Sequence, residues 1–223
     1  KNADGEFIDP YHGKADLDQR VLRHVSAAFA EDPLRVLRLA RFYARFADFH
    51  VAEETLSLVT SMVADNQLAE LPGERVWTEV QKALATNHPA RFFELLSQVG
   101  AHEKLWPSIL EAKIELLKQI ESRVDTPEQR FAALCDQAGI ELAQNLNAVK
   151  APKRFAELAE AASRHLQKLM VTAPDAEFAI ELIYQLDALR RPDRFKSLAT
   201  LAASVATVKN LEPPANWPLL IDE

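Results

Sequence analysis

With 223 residues, 48% of them apolar and 26% charged, the chain is long enough to bury a sizeable core and has the composition of globular rather than disordered or fibrous material. A single cysteine, Cys135, excludes an internal disulfide and any cysteine-rich zinc site, and no apolar run approaches the roughly 18 residues of a membrane helix, so a cytoplasmic location without membrane contact is expected. The net charge of −7 disfavours nucleic-acid binding over the whole surface yet leaves room for a local basic site.

Only 5 glycines against 12 prolines suit helices separated by proline-led turns and suit sheets poorly. The opening reads like the middle of a protein, and Gly5 to Pro10 predicts a short strand leading into a turn. Asp16 to Leu22 predicts a short helix. Glu31, Asp32 and Pro33 form a strong helix start, and that helix runs to about Ala47. Helices follow from Ala52 to Ala64 and from Pro72 to Thr86, where Val76, Val80, Ala83 and Leu84 share one face. Others begin at Pro89, with Gly100 as the closing residue, near Ser108, at Pro127, at Pro152, near Asp175 and at Pro192. The expected fold class is all-α, a multi-helix array of about nine or ten helices with a short strand remnant at the N-terminus.

Four of these helix starts carry an Arg-Phe pair: Arg91-Phe92, Arg130-Phe131, Arg154-Phe155 and Arg194-Phe195. Their spacings are unequal, which excludes a solenoid repeat and leaves proline at the first turn, an exposed arginine and a core phenylalanine.

From Pro33 to Phe46 the chain places Arg35, Arg38, Arg41 and Arg45 without any acid. At about 100° per residue they fall within an arc of roughly 120°, opposite a core face of Val36, Leu37, Leu39, Ala40, Tyr43, Ala44 and Phe46. Asp32 precedes Arg35 by three residues, so an acceptor sits beside a forked donor. That pair complements the amino group and adjacent ring nitrogen of adenine or cytosine, whereas guanine and uracil would meet Asp32 acceptor to acceptor. The same spacing also serves as a helix cap with a surface ion pair.

The ordered set Asp9, Pro10, Gly13, Asp16 and Leu17, then Glu31, Asp32 and Arg35, then Arg38 and Arg41, resembles the stretch between catalytic head and neck in bacterial class II tRNA nucleotidyltransferases. These are the CCA-adding enzymes and their relatives the bacterial poly(A) polymerases. A weaker likeness continues through Leu71 to Leu84, which is similar to the family's neck helix, and through the later Arg-Phe segments, which look like body and tail helices. The resemblance implies residues 1–30 as the end of the head and a linker, 31–106 as the neck and 107–223 as body and tail. It implies Asp32 and Arg35 as a template that selects ATP and CTP, Arg38 and Arg41 as nucleotide contacts, and the tRNA 3′ end as partner. Mg2+ is expected in the head, whose D-x-D and R-R-D patterns do not occur before Ile8, so no catalytic residue is assigned and the chain alone is expected to be inactive. Arg130 to Cys135 is followed by Asp136, Gln137 and Ala138 instead of the H-D pair of related phosphohydrolase domains, so that activity is expected to be absent. A poly(A) polymerase and a non-catalytic helical RNA or protein interaction module are the alternatives.

The histidines at 12, 24, 50, 88, 102 and 165 lack a spacing that puts two ligands on one helical face, so no metal site is assigned. Cys135 reads as a core residue, Glu74 and Arg75 as a structural ion pair, and Trp77, Trp106 and Trp217 as core packing.

Overall fold

A computed structural model describes residues 8–106, 109, 111–135, 146, 150–171 and 176–211. Among these residues lie eleven α-helices, one 3₁₀ turn and one pair of two-residue strands. The all-α class holds.

The first helix, α1 (Gly13–Asp18), begins earlier than its sequence suggests. The carboxylate of Asp9 accepts from the backbone N–H groups of Gly13 and Lys14, each at 2.8 Å, and so satisfies two otherwise unpaired donors. Those bonds, the one from Lys14 foremost, hold the Asp9 carboxyl below its ordinary value. The helix therefore ends at Asp18 and frees Val21–Leu22 to form β1. Strand β1 pairs in parallel with β2 (His50–Val51), in the register Val21 with His50 and Leu22 with Val51. The short strand remnant expected near the N-terminus is present as this pair, and the described part of residues 5–10 is not strand. Ile8 and Asp9 are not strand, residues 5–7 lie outside the described residues, and the pair forms where the chain returns after α2.

Between the strands run the 3₁₀ turn Ala27–Glu31 and α2 (Leu34–Arg45), which acts as the crossover helix of the parallel pair. Helix α2 buries Leu34, Val36, Leu37, Leu39, Ala40 and Ala44 against α4 (Gly73–Leu84) and α5 (Ala90–Gln98). Phe46 follows the last helical residue, so it leaves the core stripe and instead stacks on Phe42, ring centroids 6.1 Å apart. Helix α3 (Glu53–Ala64) lies between β2 and α4. Gly100, at φ 73°, closes α5 in the left-handed conformation that favours glycine. It also opens α6 (Ala101–Leu105), a five-residue helix with no sequence signature of its own.

The remaining helices are α7 (Glu111–Ile120), α8 (Pro127–Leu134), α9 (Lys153–Val171), α10 (Ala176–Gln185) and α11 (Pro192–Val208). Thr126 and Gln129 form a reciprocal capping box at the start of α8. Trp77 on α4 meets Phe131 on α8 and Phe155 on α9 edge-on at 5.2 and 4.8 Å, so a single core continues across residue 106. Trp106 is buried as expected, and Trp217 lies outside the described residues.

The four Arg-Phe helix starts place every phenylalanine in the core, but their arginines are not uniformly exposed. Arg91 donates to the carbonyls of Tyr43 and Phe49, both at 3.0 Å, and lies over the Tyr43 ring. Arg130 donates to the carbonyls of Leu84, Thr86 and Glu121. Arg194 pairs with Glu157, and only Arg154 is exposed. Three of the four arginines satisfy groups at the ends or sides of neighbouring elements. No helix among the described residues is long and apolar enough to cross a membrane.

Candidate functional site

Pro33 is the N-cap of α2, where its missing N–H costs nothing. Asp32 stands just before it and accepts from the Leu34 N–H at 3.2 Å. Its ion-pair partner is Arg75 at the start of α4, with Nη2 3.3 Å from Oδ2. The expected juxtaposition with Arg35 is therefore corrected: the Arg35 guanidinium turns back over the preceding turn, donates to the Ala28 carbonyl and lies 6.0 Å from the Phe29 ring centre. The cause is local. The 3₁₀ turn brings a backbone carbonyl and an aromatic face within reach of Arg35, and Arg75 takes the carboxylate.

Arg41 is also engaged. Its Nε lies 2.6 Å from Oε2 of Glu79, a carboxylate buried in the middle of α4. Arg38 and Lys82 stand 3.8 and 3.9 Å from the other oxygen of the same side chain. Two polar clamps, Asp32 with Arg75 and Glu79 with Arg41 and Arg38, fix the rotation of α2 against α4.

A groove of about 490 Å³ opens along this basic face. Arg35, Arg38, Leu39 and Phe42 of α2 form one wall, and Arg23 to Ser26, Ala28 and Phe29 form much of the other. No Asp or Glu lines it. The structure thus brings Arg35 and Arg38 together in one groove and leaves Asp32 and Arg41 outside its lining. Guanidinium groups over an aromatic, acid-free surface suit a planar ligand rich in acceptors.

A family profile described as "Probable RNA and SrmB- binding site of polymerase A" matches residues 48–113. CCA-adding enzymes of two strains of Coxiella burnetii, RSA 331 / Henzerling II and RSA 493 / Nine Mile phase I, are 42% identical to the chain over 159 residues, which is 70% of this chain and 42% of each relative. The chain belongs to the CCA-adding enzyme and poly(A) polymerase family. It spans less than half the length of these relatives. A solved tRNA-processing enzyme complex shares the fold with a TM-score of 0.70 at 22% identity, over 92% of this chain and 59% of that one. A tRNA nucleotidyltransferase complexed with a primer tRNA and an incoming ATP analog does so with a TM-score of 0.67 at 22% identity, over 92% of this chain and 63% of that one.

In this CCA-adding and poly(A) polymerase family chain, no group of three or more His, Cys, Asp or Glu among the described residues is placed to hold a metal ion. Cys135 is fully buried, which pushes its thiol up to about 12, as befits a core residue. The segment at Asp136, Gln137 and Ala138 lies outside the described residues. Sequence reasoning overlooked Glu79, although an acid within the Val76, Val80 and Ala83 stripe is itself a signal of a buried charge with partners. The ion pair expected of Glu74 and Arg75 is corrected: the carboxylate that meets Arg75 is Asp32, 43 residues away.

Proposed function

We propose that the chain is the helical portion of a tRNA nucleotidyltransferase that adds CCA to tRNA 3′ ends from CTP and ATP in the cytoplasm. On this reading residues 31–106 select the nucleotide base, 107–223 grip tRNA, and a head domain before residue 30 holds Mg2+ and performs the transfer. The observation that carries the proposal is the acid-free groove at the start of α2, where Arg35 and Arg38 flank Phe29 and Phe42, with Asp32 fixed by Arg75 at the head of the same helix. Asp32 keeps acceptor capacity beyond its bonds to Leu34 and Arg75, because an ionised carboxylate accepts about four hydrogen bonds. On this reading Arg35 leaves the Ala28 carbonyl and the Phe29 ring to join Asp32 when a nucleotide binds, with Arg38 as a further nucleotide contact; Arg41, expected beside it, stays on Glu79 outside the groove lining. The relatives' names and the tRNA and ATP analog of the solved neighbour agree with this assignment.

The test joins the chain to its nucleotidyltransferase head and measures kcat/KM for all four NTPs on tRNA lacking the relevant terminal base. Asp32→Ala removes a charge-assisted hydrogen bond to the amino group of C or A, costing about 1.5–3 kcal/mol, and relaxes rejection of G and U. Arg35→Ala weakens both correct nucleotides, whereas Lys104→Ala on α6 changes neither. The 223-residue chain alone incorporates no CMP or AMP. Unaltered nucleotide preference in folded Asp32→Ala and Arg35→Ala enzymes refutes the assignment, and incorporation of ATP without CTP shows a poly(A) polymerase instead.

A further inference from the structure

Thr55, in the first turn of α3, is completely buried and its hydroxyl meets His24 on the groove wall. Thr55 Oγ1 lies 3.1 Å from the His24 backbone nitrogen and 2.8 Å from the ring Nδ1. The backbone N–H can only donate to this oxygen, which leaves the single hydroxyl proton free to go to Nδ1. A neutral imidazole that accepts at Nδ1 carries its own proton at Nε2. Nε2 lies on the side of the ring opposite the anchored Nδ1, and His24, half-buried, is part of the groove lining. Arg35 and Arg38 line the same groove and no carboxylate does, while Arg23, also in the lining, is held by Asp16 and Glu54. Phe29 braces the imidazole edge-on, with ring centroids 5.9 Å apart.

We infer that His24 is a nucleotide-binding residue that donates from Nε2 to an acceptor atom of the base held beside Arg35, with Thr55 fixing the tautomer. The inference rests on the nucleotidyltransferase reading above. With the ring nitrogen beside the amino group taken by Arg35, cytosine still offers its O2 carbonyl and adenine its remaining ring nitrogens as acceptors, so the contact adds affinity for CTP and ATP alike and leaves discrimination to other groups. An interaction made equally in the ground and transition states appears in KM and not in kcat.

The experiment compares wild type, His24→Asn and His24→Gln in the enzyme with its head, using CTP and ATP. Asparagine reaches the Nδ1 position and keeps the Thr55 bond but places nothing at Nε2, whereas glutamine carries an N–H donor out to the Nε2 position. KM for both nucleotides rises about fivefold in His24→Asn with kcat preserved, and His24→Gln stays within about twofold of wild type. Nitrogen-15 NMR of the wild type near pH 8 shows the His24 proton on Nε2. An unchanged KM in His24→Asn, equal losses in both variants, or a proton on Nδ1 overturns the inference. Wild-type enzyme that incorporates neither CMP nor AMP overturns the functional reading as well, which separates the two failures.

Discussion

Replacing Glu79 with glutamine keeps the shape of the side chain and removes the charge that three cations surround. The carboxylate is 5% exposed and its Arg41 partner 17%, whereas Arg38 and Lys82 are 47% and 56% exposed and stand farther off. The two exposed cations are screened by water and contribute at most about 0.5 kcal/mol each. Most of the loss therefore comes from Arg41. Removing one partner of a fully buried pair costs about 3–5 kcal/mol, and the residual water access of Arg41 brings the expected loss to about 2–3 kcal/mol. For a chain of this size about 2–4 °C accompanies each kcal/mol, so Tm falls by about 5–10 °C. Urea and thermal unfolding followed by circular dichroism measure this, with an unchanged m-value showing that two-state behaviour persists. Arg41→Met alone destabilises comparably, while Glu79→Met combined with Arg41→Met recovers much of the loss because no charge is left buried. A Glu79→Gln loss below about 0.5 kcal/mol, or a double variant as unstable as the two singles added, refutes this account of the clamp.

Arg130→Met strips the donor from the carbonyls of Leu84, Thr86 and Glu121 and destabilises the chain by about 2–4 kcal/mol, as read from urea midpoints. Burial holds the imidazoles of His102 and His165 below their ordinary value of 6.5, the nearby acids and the Gln185 bond only partly offsetting it. Between those lowered values and about 6.5 the unfolded chain binds more protons, so this stability is complete above about pH 6.5 and is lost as pH falls through the window. Urea midpoints measured downward from about pH 8 decline there, His102→Gln flattens the decline, and a profile indifferent to both histidines contradicts the assignment. Burial that raises the Cys135 thiol to about 12 keeps it from iodoacetamide in the native chain, with labelling only on unfolding; rapid native alkylation at neutral pH contradicts this.

Helix α2 was legible because an E-D-P start and a sustained apolar stripe state both its beginning and its buried face. The start of α8 was equally plain, since its proline follows a threonine that caps it. The strand pair was not, because two residues paired across the length of α2 leave no local periodicity to read. At the site, the basic face and the groove-lining Arg35 and Arg38 follow from sequence spacing, yet the partner of each charge does not. Asp32 has one arginine three residues away and another 43 residues away, and only packing of α4 against α2 decides between them. The same limit applies to Arg91 and Arg130. A helix-start arginine looks identical in sequence whether it meets water or a neighbouring helix's carbonyls.

The parallel strand pair has a mechanical consequence. His50 donates to the Arg20 carbonyl at 3.0 Å and Ala52 to the Leu22 carbonyl at 3.1 Å, so the two ends of the stretch containing the 3₁₀ turn and α2 are buckled together. Every groove-lining residue, Leu22 to Phe42, lies inside that buckle. Swinging the groove relative to other parts of the protein carries both walls along and leaves their separation unchanged, whereas twisting α2 alone would have to unfasten the strands and the Glu79 clamp together. The groove therefore behaves as a gauge of fixed width: different ligands are accommodated by turning Arg35 and Arg38 within it, and any pivot lies outside residues 20–52.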